Sequence, residues 1–442
     1  AYEIVLVTGV QTWLFRSISH EDLGIFFSAA FEGMLWKHGK GLEDCGKSLV
    51  ELGALAPQGC LSELATRASE LLSAISSNDV ATRQTAAQAL GMLGAHPSNE
   101  ADQLNKILRT LIESIKLWDS AVGAEANKVH GATIALSYLL SRSVFYGRIA
   151  DVDVALIDEA VTLILNMASN ATDANNKEAA FIAIGVLSTV DLVTEARLEA
   201  SPYDAVAIIK VLTTEAKKGN EKAISALGRF ALIFDENTLE TPESPLAIIM
   251  KGLYELHELR QAEVHFTVGE ALAVASTGWE SDSLILTLDV EANYKGPTRS
   301  STLEGVVDKI LKDCKNTKPS LKKASGIWLF SLIQYCGHLQ EIQSRLRECQ
   351  AAFMGLLSAR DDLVQETASR GLSLVYEQGD KDLRERLVAD LVASFTGTST
   401  KIKVEEETEL FEPGALPTGN GESVTSYKDI MSLAAEDRKS VV

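Results

Sequence analysis

The sequence predicts an all-α fold, a solenoid of stacked helical hairpins, and three observations lead there. A short motif recurs along the chain, the segments between its copies are amphipathic with a period of 3.6, and no group of residues forms a catalytic cluster. The motif places a small residue four positions before an aliphatic one and a further packing residue directly after it. It appears as Ala86/Leu90/Gly91, Ala132/Leu136/Ser137, Ala180/Ile184/Gly185, Ala223/Leu227/Gly228, Val268/Leu272/Ala273, Ser325/Leu329/Phe330 and Ala368/Leu372/Ser373. Successive aliphatic positions lie 46, 48, 43, 45, 57 and 43 residues apart. Helical repeats of the HEAT and armadillo type have periods of about 40–47 residues, so all but the long spacing match that class.

Each motif sits in an amphipathic run with a capping residue ahead of it, as Asp79 precedes Val80 to Leu93. Small residues one turn apart let two helices approach closely. A second amphipathic segment follows each motif, at 104–117, 154–168, 203–216, 246–256, 303–311, 346–357 and 383–395. Two helices per unit result. Neither can bury its apolar face alone, so units must lean on one another in an elongated stack of seven to eight pairs, expected over 18–397. The stretch Asp361 to Asp380 shows the unit most clearly, with a cap at each end, Ala368, Leu372 and Val375 facing the core, and Arg360, Asp361, Asp362 and Arg370 facing solvent.

Two stretches break the pattern. The long spacing contains 279–301, where Ile285, Thr287, Asp289 and Glu291 alternate before a Gly296-Pro297 break, and this reads as an inter-helix insertion, a strand or an ordered loop. At 398–426, alternation over 401–411 precedes Pro413, Gly414, Pro417, Gly419 and Gly421, which predicts an exposed loop or hairpin; 427–436 then starts a further helix. The ends read as non-native. Residues Asp437 to Val442 match adapter DNA translated in frame, and 1–17 carry a second adapter-like run, so a natural segment lacking both of its true termini is expected. Such a segment would show apolar faces at its cut ends and tend to aggregate.

Composition narrows the function. A formal charge of −20 disfavours nucleic acid and anionic lipid as partners, because both are held by Lys and Arg. No apolar run reaches the roughly 18 residues of a membrane helix, so no direct membrane insertion is expected. Five cysteines, odd in number and without CxxC spacing, suggest neither a disulfide framework nor a zinc knuckle, and fit a reducing compartment.

Gly41-Leu-Glu-Asp-Cys-Gly46-Lys47-Ser48 matches the letters of a phosphate-cradling loop. That loop needs a strand before it and a helix after it, whereas Leu23, Phe27, Ala30, Phe31 and Met34 upstream follow helical spacing, and Glu43 and Asp44 would face a polyanion. An inter-helix turn is the preferred reading. His257 begins a zinc-protease-like run that lacks the second histidine, and His265 lies too far along. The other histidines, His20, His38, His96, His130 and His338, read as surface or helix-end residues. Cys336 and His338 face different ways on a helix end, which leaves Cys336 as a buried structural thiol. Glu405 to Glu407 form a solvated run. No catalytic, cofactor-binding or metal residues are assigned, and no cofactor is expected.

Within 318–434, three ordered stretches carry a resemblance. Asp361-Asp-Leu, Gln365-Glu-Thr-Ala-Ser-Arg-Gly-Leu372 and Leu374-Val-Tyr-Glu377 with Gly379 form the first. Ala324 to Leu332 and the downstream pair of Gly414-Ala-Leu with Thr425 to Ala434 form the others. Together they resemble the large HEAT-repeat proteasome adapter and scaffold family, although Ser325-Gly326 and Ser373 depart from its pattern. The resemblance implies a non-enzymatic scaffold, cytoplasmic and nuclear, that holds the proteasome core particle to its regulatory particle and links both to other proteins. A different HEAT-repeat binding protein, such as a nuclear transport receptor, and an ATPase built on Lys47 are the competing readings.

Overall fold

In the computed structural model, residues 19–35, 42–54, 56–288, 295–299 and 301–396 are described. The first helices are α1 (His20–Leu35) and α2 (Leu42–Gly53). After them come pairs: α3 (Val80–Gly94) and α4 (Ala101–Ile115), α5 (Ala124–Phe145) and α6 (Val154–Asn170), α7 (Ala174–Thr189) and α8 (Ala205–Ala216). The series continues with α9 (Glu221–Phe230) and α10 (Pro245–Glu255), α11 (Ala262–Thr277) and α12 (Ser301–Asp313), α13 (Pro319–Cys336) and α14 (Leu346–Leu356), and α15 (Asp362–Gln378) and α16 (Lys381–Thr396). Two units divide between Leu387 and Val388, so α16 begins in the first and ends in the second. Among the described residues there is no β-strand, and one isolated antiparallel bridge joins Gly278 to Thr298.

All seven motifs lie in the odd-numbered helices from α3 to α15, and each of these packs on the next in one continuous row. The even-numbered helices from α4 to α14 form the second layer, each against a helix of the first. Leu90, Leu136, Ile184, Leu227, Leu272 and Leu329 are fully buried, and Leu372 nearly so. Each such side chain contributes about 2 kcal/mol through the apolar surface it removes from water.

The small residues of the motif work as spacers. A Cβ placed on Gly91 would stand 2.6 Å from the Tyr138 Cβ of α5, and one on Gly228 would stand 2.6 Å from the Ala271 carbonyl oxygen of α11. Helix starts follow from side-chain caps. The carboxylates of Asp79, Asp173 and Asp361 accept from the backbone N–H groups of Thr82 (2.7 Å), Asn176 (2.8 Å) and Val364 (3.1 Å). At the far end of α15, Gly379 has φ −74°, so no left-handed turn is needed; a side chain there would instead meet Leu383 at 2.8 Å.

Three expectations change. The phosphate-loop letters do not form a turn, because 42–53 is helix and Lys47 pairs with Glu43 one turn back at 2.6 Å. Within the insertion, Asp282–Leu288 is helix and not strand: Asp282 is exposed while the adjacent Ser283 and Leu284 are both buried, which breaks the two-residue alternation of a strand. Ser373, expected as a packing position, is exposed: no further first-layer helix follows α15 among the described residues. The proposed terminal segments 1–17 and 437–442, the loop or hairpin at 398–426 with Glu405 to Glu407, the helix start at 427–436, His38, and the alternating positions Asp289 and Glu291 lie outside the described residues.

Candidate functional site

The residues singled out for chemistry are bonded into the helix packing. His265 is buried and its Nε2 meets the Leu259 carbonyl at 3.0 Å, while His257 bonds through Nδ1 to the Tyr254 carbonyl at 2.8 Å. No group of three metal-binding side chains occurs among the described residues. Cys336 is fully buried beside the Thr277 hydroxyl (3.7 Å), and burial pushes its thiol up to about 12, so it holds its proton at neutral pH. His338 lies elsewhere, with Nδ1 3.7 Å from the Asp282 carboxylate. All five cysteines are free.

His130 departs from the surface reading. It is 5% exposed inside α5, where Nδ1 accepts a hydrogen bond from Nε of the buried Arg83 at 3.2 Å. The same guanidinium donates to the carbonyls of Ser77 (2.7 Å) and Asn78 (3.1 Å), tying the start of α3 to α5. Burial, reinforced by the Arg83 charge, holds His130 down at about 4. His96 is buried too, at the end of α3, and bonds through Nε2 to the Gln58 carbonyl at 3.1 Å.

A cleft of about 240 Å³ crosses successive first-layer helices, with Gln84 on α3, Tyr138 on α5, Gly185 on α7, Ser225 and Arg229 on α9 and Glu270 on α11. Tyr138 accepts at its hydroxyl from Nε2 of Gln88 (2.9 Å). Arg229 is 6% exposed; burial lowers its pKa while the Glu270 charge opposes the shift. Gly185 leaves room for it, since a Cβ would meet the Arg229 Cδ at 3.2 Å. The cleft offers hydrogen-bond donors, acceptors and both signs of charge, which suits recognition. Sequence reasoning passed over it, although a signal existed: Tyr138 and Arg229 stand two residues after the motif positions Leu136 and Leu227, and Glu270 two before Leu272.

Trp279 and Arg299, near the two ends of the insertion, reach the ends of four first-layer helices. Nε1 of Trp279 donates to the carbonyl of Thr189, the last residue of α7, at 2.7 Å, and its ring meets that of Phe145, the last residue of α5, edge-on at 5.8 Å. The Trp279 N–H donates to the Pro297 carbonyl (3.0 Å). Arg299, 5% exposed, donates to Ala275 near the end of α11 (3.1 Å) and to Ala231 and Phe234 just after α9. A buried cation thus answers carbonyls at helix ends, where the helix dipole is negative.

No family model matches the chain. It is 42% identical over 206 residues to the proteasome component ECM29 of Saccharomyces cerevisiae, covering 43% of this chain and 11% of that protein. It is 35% identical over 229 residues to the human proteasome adapter and scaffold protein ECM29, covering 50% of this chain and 12% of that one. The proteasome component ecm29 of Schizosaccharomyces pombe is 30% identical over 225 residues, 49% of this chain and 12% of its own length. The chain thus spans about an eighth of the length of these relatives. Over about half of its own length, this helical repeat chain is therefore similar to a short part of the ECM29 proteasome proteins.

Proposed function

We propose that the chain is a non-enzymatic binding scaffold that engages the proteasome. The observation that carries this reading is the alignment with relatives named as proteasome components and adapters, over a chain whose exposed faces are long helical surfaces. The finer reading is that it helps hold core and regulatory particles together and connects them to other proteins, in cytoplasm and nucleus. Buried motif residues give rigidity, and second-layer helices, the cleft at Arg229 and inter-helix turns give contact area. Nucleic acid and membrane lipid are not partners in this reading, consistent with a charge of −20 and with no described helix being long and apolar enough to cross a membrane.

The test is retention of purified proteasome on the immobilised chain, beside binding of labelled ATP. Retention without nucleotide binding supports the scaffold. Nucleotide binding lost on Lys47→Ala would overturn it, and binding of nuclear import signals in place of proteasome would favour the transport-receptor alternative.

A further inference from the structure

The second layer begins with a gap. From α4 to α10 each second-layer helix has a neighbour on the next, but the position before α4 is taken by the short helix Ser62–Thr66 and the 3-10 segment Ala68–Ser76. These pack chiefly on first-layer helices and meet α4 near its start, where Gln103 donates to the Thr66 carbonyl (3.0 Å) and Ser69 and Leu72 face Asp102 and Lys106 across a cavity. Two cavities of about 320 and 440 Å³ line this side of α4 and share Lys106 and Thr110, so they read as one groove. It runs from Leu72 and Asp102 at one end to Leu117 and Lys128 at the other. At about 1.5 Å per helical residue the α4 side is roughly 23 Å long, room for about seven residues of extended chain.

The charge of this groove runs against that of the chain. Lys106, Arg109 and Lys128 are exposed along it, and none makes an ion pair among the described residues. The neighbouring cation Lys116 is engaged by Glu113 (2.6 Å) and Glu159 (2.8 Å), which leaves these three open along the groove. The groove's own carboxylates do not cancel the three, because Glu113 is held by Lys116 and Asp102 sits at the opposite end, in the first turn of α4. Leu117, half exposed, supplies an apolar contact beside them.

We infer that this groove docks an extended acidic segment of a partner protein that carries an aliphatic residue for Leu117. The three side chains supply unpaired donors for carboxylates, and they outnumber the two carboxylates of the groove in a chain whose formal charge is −20. A nucleic acid would meet the same three cations but also the repulsion of the whole acidic surface around them. This deepens the scaffold reading by naming the partner chemistry, and rests on it only in taking protein binding as the chain's role.

The test is fluorescence anisotropy with a fluorescein-labelled peptide Gly-Glu-Glu-Leu-Glu-Glu-Leu-Glu-Gly at low salt. Saturable binding is expected, weakened at least tenfold by Lys106→Glu/Arg109→Glu/Lys128→Glu, severalfold by the three glutamine changes, and less by Leu117→Ala. Circular dichroism checks that each variant stays folded, and Lys251→Glu on α10 should change nothing. Absence of peptide binding, binding unchanged by the triple reversal, or equally tight binding of a DNA oligomer of matching charge would overturn the inference. Proteasome retention is scored separately: a variant that loses the peptide but keeps the proteasome leaves both readings standing on different surfaces, while peptide binding without proteasome retention by the parent chain removes only the proteasome reading.

Discussion

At the scale of single residues, two kinds of contact make sharp predictions. His130 must stay neutral to accept from Arg83, and its pKa of about 4 lies below the ordinary 6.5. Above pH 6.5 it is neutral folded or unfolded and contributes nothing to pH dependence. As pH falls from 6.5 toward 4, the unfolded chain takes up the proton first, so stability is lost over that window and the loss levels off below it. Between pH 7 and pH 5 the cost is about 2 kcal/mol, at 1.36 kcal/mol per pKa unit. His96 and His265 are shifted down as well, chiefly by burial, and add to the same slope. Urea midpoints at the two pH values should differ accordingly, and His130→Asn should flatten the difference.

Glycines divide by what surrounds them. Gly228→Ala forces a methyl group into the α11 backbone and should cost about 2 kcal/mol or more through overpacking. Gly305, inside α12, has nothing within 4 Å of an added Cβ, so Gly305→Ala should stabilise by about 0.5–1 kcal/mol through helix propensity alone. Thermal melts of the two variants should move in opposite directions.

At the scale of helices, the caps and motif positions set what each element is worth. Asp361→Ala removes the acceptor for the Val364 N–H and the partner of Lys323 (2.9 Å), and should cost about 1 kcal/mol. Hydrogen exchange should then quicken in the first turn of α15 and little elsewhere. This level was the most legible in the sequence. The seven motifs fell on seven first-layer helices, and the segments between them became α4 to α16, because a 3.6-residue pattern of apolar positions suffices to say which face is buried. Two places escaped that logic. The run at 42–53 carries glycine and charge that mimic a loop signature, yet Leu49 and Val50 are buried on one face of a helix. The alternation that begins at Ile285 and Thr287 is too short to separate the two periods, and these two residues lie in the helix Asp282–Leu288. Tyr138, Arg229 and Glu270 each stand two residues from a motif position, but they could not be joined into a site from the sequence, because their proximity is created by stacking and not by spacing within any one helix.

At the scale of the whole molecule, long rows of neighbour contacts imply that damage is felt locally. Leu136→Ala in α5 should cost about 3 kcal/mol by cavity formation, and exchange protection should fall in α3, α5 and α7 before it falls in α13 or α15. A uniform loss across all units would contradict a stack in which each layer is supported chiefly by the next. Of the five free cysteines, Cys314, Cys336 and Cys349 are buried, and burial, with smaller pushes from Asp313 on Cys314 and from Cys314 and Glu348 on Cys349, raises the Cys314 and Cys349 thiols to about 12.

The contact made by Trp279 and Arg299 has a mechanical consequence. A spring made of stacked coils lengthens by small openings between each coil and the next, and all of its turns share the strain. Here one side chain reaches back to the coils ending at Phe145 and Thr189, and another clasps those ending near Phe230 and Thr277, so that stretch resists opening as a block. Pulled lengthwise, the coils beyond the clasp are the ones that give first.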